Sequence, residues 1–342
     1  MTHARIGKKI PPNFSLDVDF EIAPGVTALF GPAASGKTLV LETIAGFVEP
    51  DSGRILLDDV ILFDAAARVH VPPYRRACGY VSQRDSLFPH MTLRQNLMFA
   101  AHRSPRLERT RRVADTLEKF QIAALAASRP QELSPPQKLR AAIARALLSL
   151  PKILLIDDRG CDEPLLRLAR EIFSGPILLV TNDLDLCCAA ADRLLLIEAG
   201  RVLRAGAPRA VADQPESVDA ARLLGIPNIF ECEIAALDPG RNSSRLEFGG
   251  MAFTGPYIPG HFRGARVSVA VRPENVRVHS GEGERHSNSI PAALVRASRR
   301  ARAVRLEFAG GIFADLAPED YDRQKDNKTW QVEFPPQALR IL

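Results

Sequence analysis

One stretch of the sequence carries phosphate chemistry in both its residue types and its spacing. Gly31-Pro32-Ala33-Ala34-Ser35-Gly36-Lys37-Thr38 matches G-x-x-x-x-G-K-[ST]. Glycines let backbone N–H groups wrap an oxyanion, Lys37 brings a point charge to the terminal phosphates, and Thr38 offers a hydroxyl to Mg²⁺. A helix that starts at Lys37 turns its positive N-terminus on the same anion. Gly31–Thr38 therefore predicts a site for ATP or another nucleoside triphosphate, with Mg²⁺. The bland alternative is an ordinary strand–turn–helix.

Such a loop must be held between a buried strand and a helix, and the flanking residues supply both. Val26–Phe30 is a short apolar run, and Lys37–Gly46 has helical character. Phe14–Ile22 (FSLDVDFEI) alternates apolar and polar residues, the signature of a half-buried strand. Ile55–Leu57 and Val60–Leu62 flank Asp58–Asp59 as a hairpin, and Gly79–Ser82 is a further short strand. Residues 92–150 are rich in Ala, Leu and Arg and predict helices. Ile153–Ile156 and Ile177–Thr181 are unbroken apolar runs, as expected of central strands covered on both faces. Leu194–Glu198 and Arg201–Arg204 predict a closing hairpin around Gly200. From Asn228 onward, short alternating segments separated by Gly, Pro and charged turns predict a small all-β domain. Its two similar halves are 228–279 and 289–342, joined by the polar loop Ser280–Ser289.

Composition narrows the class. The 342 residues are 46% hydrophobic and 25% charged, ordinary for a folded protein of two domains. No run of about 18 apolar residues is present, and the basic N-terminus lacks an apolar signal core. A cytoplasmic location is expected. Cys78, Cys161, Cys187, Cys188 and Cys232 show no metal-ligand spacing and read as reduced packing thiols. The net charge of +5 fits a solvated basic surface. Arg299, Arg300 and Arg302 cluster locally, but no reading helix accompanies them, so no nucleic-acid partner is expected.

Downstream of the loop come Gln83, then Asp85–Asn96 (DSLFPHMTLRQN), Leu133-Ser134-Pro135-Pro136-Gln137, Ile153–Asp157-Asp158 and Val180-Thr181-Asn182-Asp183. In this order and spacing the chain resembles ABC transporter ATP-binding subunits across residues 14–215, and among them the molybdate-type importers. The resemblance implies an α/β P-loop NTPase domain, a mixed sheet with helices on both faces plus a helical subdomain, over 1–227. A small all-β, barrel-like regulatory or oxyanion-binding domain would follow over 228–342. It implies that Gly31, Pro32, Ala33, Ala34, Ser35, Gly36, Lys37 and Thr38 cradle ATP. Thr38, Gln83 and Asp157 would hold Mg²⁺, Asp158 would be the general base, and Gln83 and Asn182 would act on the attacking water and terminal phosphate. Ser134 and Gln137 belong to the signature that contacts ATP on a second, identical ATP-binding subunit. The implied partners are membrane permease subunits, gripped near Asp85–Asn96, and indirectly a periplasmic or extracellular solute-binding protein. The implied place is the cytoplasmic face of the membrane, and the implied cargo an oxyanion such as molybdate.

Several positions depart from the family pattern. Pro135 and Pro136 stand where two signature glycines are usual, and proline has no N–H to offer a phosphate. The helix there survives, with Ser134 as N-cap, proline in the first turn and Gln137 closing a capping box. Asp158 replaces the usual glutamate, and Asn182 the usual histidine. Ala34 replaces a loop glycine, a mild change if its φ is negative. The segment from Asp157 to Asn182 lacks the expected loop motif and predicts a truncated helix. Phe14 is a candidate for stacking on adenine or simply a strand residue. Slow hydrolysis follows from these departures, so a nucleotide-binding regulatory or assembly subunit is the alternative. An oxyanion sensor centred on 228–342 is a third reading; the resemblance implies its site near Ser287–Ser289, where a solvated connecting loop is the bland alternative.

Overall fold

The computed structural model describes residues 2–342 except 84–85, 158–159, 250, 281–287, 326 and 328. The chain gathers into two compact units, Met1–Ala212 and Asp213–Leu342.

The first unit contains, in chain order, β1 Thr2–Ile10, β2 Phe14–Ile22, β3 Gly25–Phe30, α1 Lys37–Ala45, β4 Ser52–Leu57, β5 Val60–Asp64, β6 Val69–His70 and β7 Cys78–Val81. Then follow α2 Leu93–Ala100, α3 Arg106–Lys119, α4 Pro135–Leu148, β8 Ile153–Ile156, α5 Glu163–Ile172, β9 Pro176–Thr181, α6 Leu184–Ala190, β10 Arg193–Glu198 and β11 Arg201–Gly206. All the strands join one sheet, in the order β6-β5-β4-β1-β2-β11-β10-β3-β9-β8-β7. From β10 to β7 the neighbours run parallel, and from β2 to β6 they run antiparallel.

The unbroken apolar runs sit where both faces of the sheet are covered. On β8, Ile153 and Leu155 pack with α1 residues Val40, Leu41 and Ile44, while Leu154 and Ile156 pack into the core of α2–α5. β9 splits the same way, Leu178 and Val180 against Ile177 and Leu179. Each strand thus stabilises two layers at once, the reason parallel sheets read as continuous hydrophobic runs. The helices α2, α3 and α4 pack on one another as a helical subdomain.

Two elements add to the sequence reading. β1 pairs with β2 along its whole length and with β4 on its other edge, although Arg5, Gly7, Lys8 and Lys9 leave it little apolar alternation. The segment after Asp157, where a truncated helix is expected, holds a 10-residue helix, α5, capped by Asp162, whose carboxylate accepts the Leu165 N–H at 2.9 Å. Its buried Leu165, Leu166 and Ala169 explain why it persists in a short connection.

The first unit closes with α7, Pro208–Asp213, whose last residue opens the second. The second unit opens with α8 Val218–Leu223, followed by β12 Asn228–Asp238, β13 Ser243–Phe248, β14 Met251–Pro256, β15 Arg266–Val271, β16 Arg277–Ser280 and β17 Ser289–Ala292. It ends with β18 Leu294–Arg299, β19 Val304–Phe308, β20 Ile312–Leu316, α9 Pro318–Gln324, β21 Trp330–Glu333 and β22 Arg340–Ile341. The halves repeat a plan: a three-strand meander, a fourth strand, a proline-led turn and a short fifth strand. They are interlocked rather than side by side. β22, the last strand of the second half, pairs with β15 of the first, and β16 of the first pairs with β21 of the second. One apolar core, with Phe253 and Phe334 edge to face at 5.6 Å, draws on both halves.

Candidate nucleotide-binding site

β3, β9, β8 and β7 are hydrogen-bonded neighbours running in one direction, so their C-terminal ends form a row. Phe30 lies opposite Thr181, Ile156 opposite Leu179 and Val81 opposite Ile156. The residues that leave these ends are the phosphate loop after β3, Asn182 after β9, Asp157 after β8 and Gln83 after β7. Open α/β sheets place ligands in this position. Four segments distant in sequence are brought together by strand register alone.

A cleft of about 530 Å³ opens there, lined by Gly31–Leu39, Glu42, Gln83 and Val180–Asn182, with Ile10 and Phe14 at its side. Lys37 is 9% exposed, and its Nζ donates to Gly31 O at 2.8 Å, Pro32 O at 2.6 Å and Ser35 Oγ at 3.2 Å. These carbonyls aim the lysine along the inside of the loop. Thr38 is exposed to the cleft, one residue into α1.

The loop is tightly braced. A Cβ on Gly31 would come within 2.0 Å of Ile197 O, so no larger residue fits. Gly36 has φ 99°, a conformation that favours glycine, and the Phe14 ring packs against it so closely that a Cβ would meet Cζ at 2.9 Å. Gly200 in the β10–β11 turn donates its N–H to Ser35 O at 3.1 Å and accepts from Asp17 N at 2.7 Å. That brace was not read from sequence, where Gly200 signalled only a turn. Ala34 has φ 62°. The negative φ that would make alanine harmless is therefore not adopted, and the loop holds a Cβ in the left-handed region at a cost of about 1–2 kcal/mol.

Asp157 is 1% exposed, and the exposed Gln83 donates its amide to Asp157 Oδ1 at 3.1 Å. Thr38, Gln83 and Asp157 present hydroxyl, amide and carboxylate oxygens, the hard donor set that suits Mg²⁺. Asp158 lies outside the described residues, as does Asp85. At the other end of the expected docking stretch, Asn96 is interior. Its side chain accepts from Phe88 N at 2.7 Å and donates to the carbonyls of Phe88, Met91 and Thr92. It shapes the stretch from within.

Neither Ser134 nor Gln137 lines the cleft. They start α4, with Ser134 at ψ 159°, Pro135 and Pro136 in the first two helical positions, and Gln137 Oε1 accepting the Ser134 N–H at 2.8 Å. Of the sequence-predicted site, the structure thus gathers the loop, Gln83, Asp157 and Asn182, and leaves the signature elsewhere. Glu42 is the ionisable lining residue, among those described, that the motifs passed over. Its carboxyl is raised above the ordinary range, first by burial and then by the charge of Asp157. An apolar-faced α1 ending its second turn on a glutamate was the available signal.

In the second unit, Asn288 has φ 64°, and its amide is fully engaged by the Thr254 backbone, both ways at 2.7 Å, and by Phe334 O at 3.0 Å. Ser287, named with Ser289 as an oxyanion site, lies outside the described residues.

The ABC transporter family matches residues 16–159. The molybdenum import ATP-binding protein of Rhodospirillum rubrum is 40% identical over 232 residues, covering 65% of this chain and 63% of its own. That of Paramagnetospirillum magneticum is 35% identical over 297 residues, covering 82% and 80%. Among solved structures, cbiO1 of Clostridium perfringens, part of the ABC transporter complex cbiONQ, is 26% identical with a TM-score of 0.54, covering 65% of this chain and 94% of that one. The loop geometry, the order of strand-end residues and these relatives agree, and the chain belongs to the ATP-binding proteins of the ABC transporter family.

Proposed function

We propose that the chain is the energy-coupling ATP-binding subunit of an importer for a molybdate-class oxyanion. The observation that carries the nucleotide part is the convergence of the braced loop, Gln83 and Asn182 on one cleft, with Gln83 bonded to Asp157. The cargo part rests on relatives named for molybdenum import.

In this reading the loop N–H groups and Lys37 bind the triphosphate, and Lys37 exchanges its carbonyl partners for phosphate oxygens. Thr38, Asp157 and Gln83 would hold Mg²⁺, which offsets phosphate charge when bound. Gln83 orients the attacking water, Asp158 takes its proton, and Asn182 hydrogen-bonds the terminal phosphate without adding charge. Ser134 of a second copy completes the site, and closure of the two copies around ATP drives permease subunits at the cytoplasmic face of the membrane. Among the described residues no helix is long and apolar enough to cross a membrane, in keeping with a separate permease.

Pro135 and Pro136 at the start of α4 favour a second reading, a nucleotide-binding regulatory subunit with little hydrolysis. Uptake of labelled molybdate by source cells lacking the gene, with spermidine and sulfate uptake as controls, tests the cargo. Unchanged molybdate uptake rejects it. Single-turnover ATP hydrolysis by the purified chain separates the two readings.

A further inference from the structure

The cleft contains one acid that the motifs leave unused. Glu42 stands one helical turn beyond Thr38 on α1, so both side chains leave the same face. Helical side chains lean toward the N-terminus, which carries the Glu42 carboxylate back toward Thr38 and the phosphate loop. Among the described residues lining the cleft, Lys37 and Glu42 are the ionisable ones. Asp157 lies close enough for its charge to act on Glu42. Tyr80 on β7, whose hydroxyl is pushed up mainly by burial, also feels both acids, first Asp157 and then Glu42. Two acids therefore stand against one lysine on the side of the cleft where Thr38 and Gln83 present their oxygens.

A bare triphosphate brings three to four negative charges into such a cleft, and Lys37 offsets only one. Glu42 gains nothing from a naked phosphate and repels it. With a divalent cation between them, the same carboxylate faces net positive charge. We infer that Glu42 makes nucleotide binding metal-selective, admitting the divalent-metal complex of ATP and disfavouring the metal-free anion. This rests on the reading of the cleft as the ATP site.

The test uses the full chain and binding alone. A fluorescent ATP analogue is titrated into wild type, Glu42→Gln and Glu42→Asp, in saturating Mg²⁺ and in excess EDTA. Removing one charge from a partly screened cleft should tighten metal-free binding by roughly three- to tenfold in Glu42→Gln. Mg²⁺-loaded binding should stay level or weaken, so the ratio of the two affinities falls. Glu42→Asp keeps the charge at shorter reach and should retain most of the discrimination, which a loss of packing would not. An unchanged ratio in Glu42→Gln overturns the inference alone. Wild type that binds no nucleotide in either medium overturns the ATP-binding reading and this inference with it.

Discussion

Replacing Pro135 and Pro136 together by glycine should speed ATP hydrolysis while lowering stability. A helix start normally offers four unpaired N–H groups. In α4 the first intrahelical bond runs from Lys138 N to Ser134 O at 2.9 Å, so the four positions are Ser134, Pro135, Pro136 and Gln137. Two have no N–H, and that of Ser134 is taken by Gln137 Oε1. At most one donor is left to meet an anion. Losing a single preorganised donor costs about 2.7–4 kcal/mol in other enzymes. Two restored donors act on one phosphate and are not additive. We therefore expect a gain of about 10- to 100-fold in the single-turnover rate, worth roughly 1.4–2.8 kcal/mol. The prolines also stiffen the unfolded chain, so their removal should destabilise by about 0.4–1 kcal/mol each. For a unit of this size the melting temperature should fall by roughly 2–8 °C. The assay is phosphate release under single-turnover conditions, with the chain in excess of MgATP, beside a thermal melt. A Pro135→Ala, Pro136→Ala chain, which restores the N–H groups but keeps a Cβ, separates donor loss from blocked approach. If the melt falls as expected and neither variant is faster, missing donors do not limit turnover.

Lys37→Ala should weaken nucleotide binding by about 10- to 100-fold, the scale of a charge-assisted contact; equal binding in a fluorescent-ATP titration would place the site elsewhere. Ala34→Gly relieves the left-handed Cβ against a smaller cost in the unfolded chain, a net gain of about 0.5–1 kcal/mol seen as a higher melting temperature; a lower one refutes the strain. Burial pushes the thiols of Cys78 and Cys187 up to about 12, with neighbouring Arg76 opposing it for Cys78 and Cys188 and Asp183 adding to it for Cys187. At pH 8 about 10⁻⁴ of each is thiolate, so native iodoacetamide labelling of these two should be slow and rise about tenfold per pH unit, as peptide mapping would show. The N-terminal piece 1–227 should bind ATP alone. The β-rich piece should melt higher as 213–342 than as 228–342, because α8 buries Ala220 and Ala221 and meets β15. Equal melts would make α8 dispensable.

What could be read in advance depended on how local its cause was. The phosphate loop, the capping box of α4 and the strands β2, β3, β8 and β9 are written in residues within a few positions of one another. β1 was missed because its stability lies in two flanking strands rather than in its own pattern, and Ile6 and Ala4 are buried among charges that point outward. The bounds of α5 were hard to read because a shortened connection leaves it only three buried residues, Leu165, Leu166 and Ala169. The φ of Ala34 follows from the bracing of its loop by Gly200 and Phe14, which lie far away in sequence. Glu42 belongs to no motif. Only folding α1 against β8 sets its carboxylate within range of Asp157.

The crossed strands of the second unit bear on how it comes into being. β15 and β16 leave the ribosome long before β21 and β22, which alone complete their pairing. Until β21 and β22 emerge, the first half keeps open edges and part of its apolar face uncovered, a state prone to mispairing. Non-local pairing of this kind also folds slowly. A chain stopped just short of Arg340 would damage the half made first as well as the half made last.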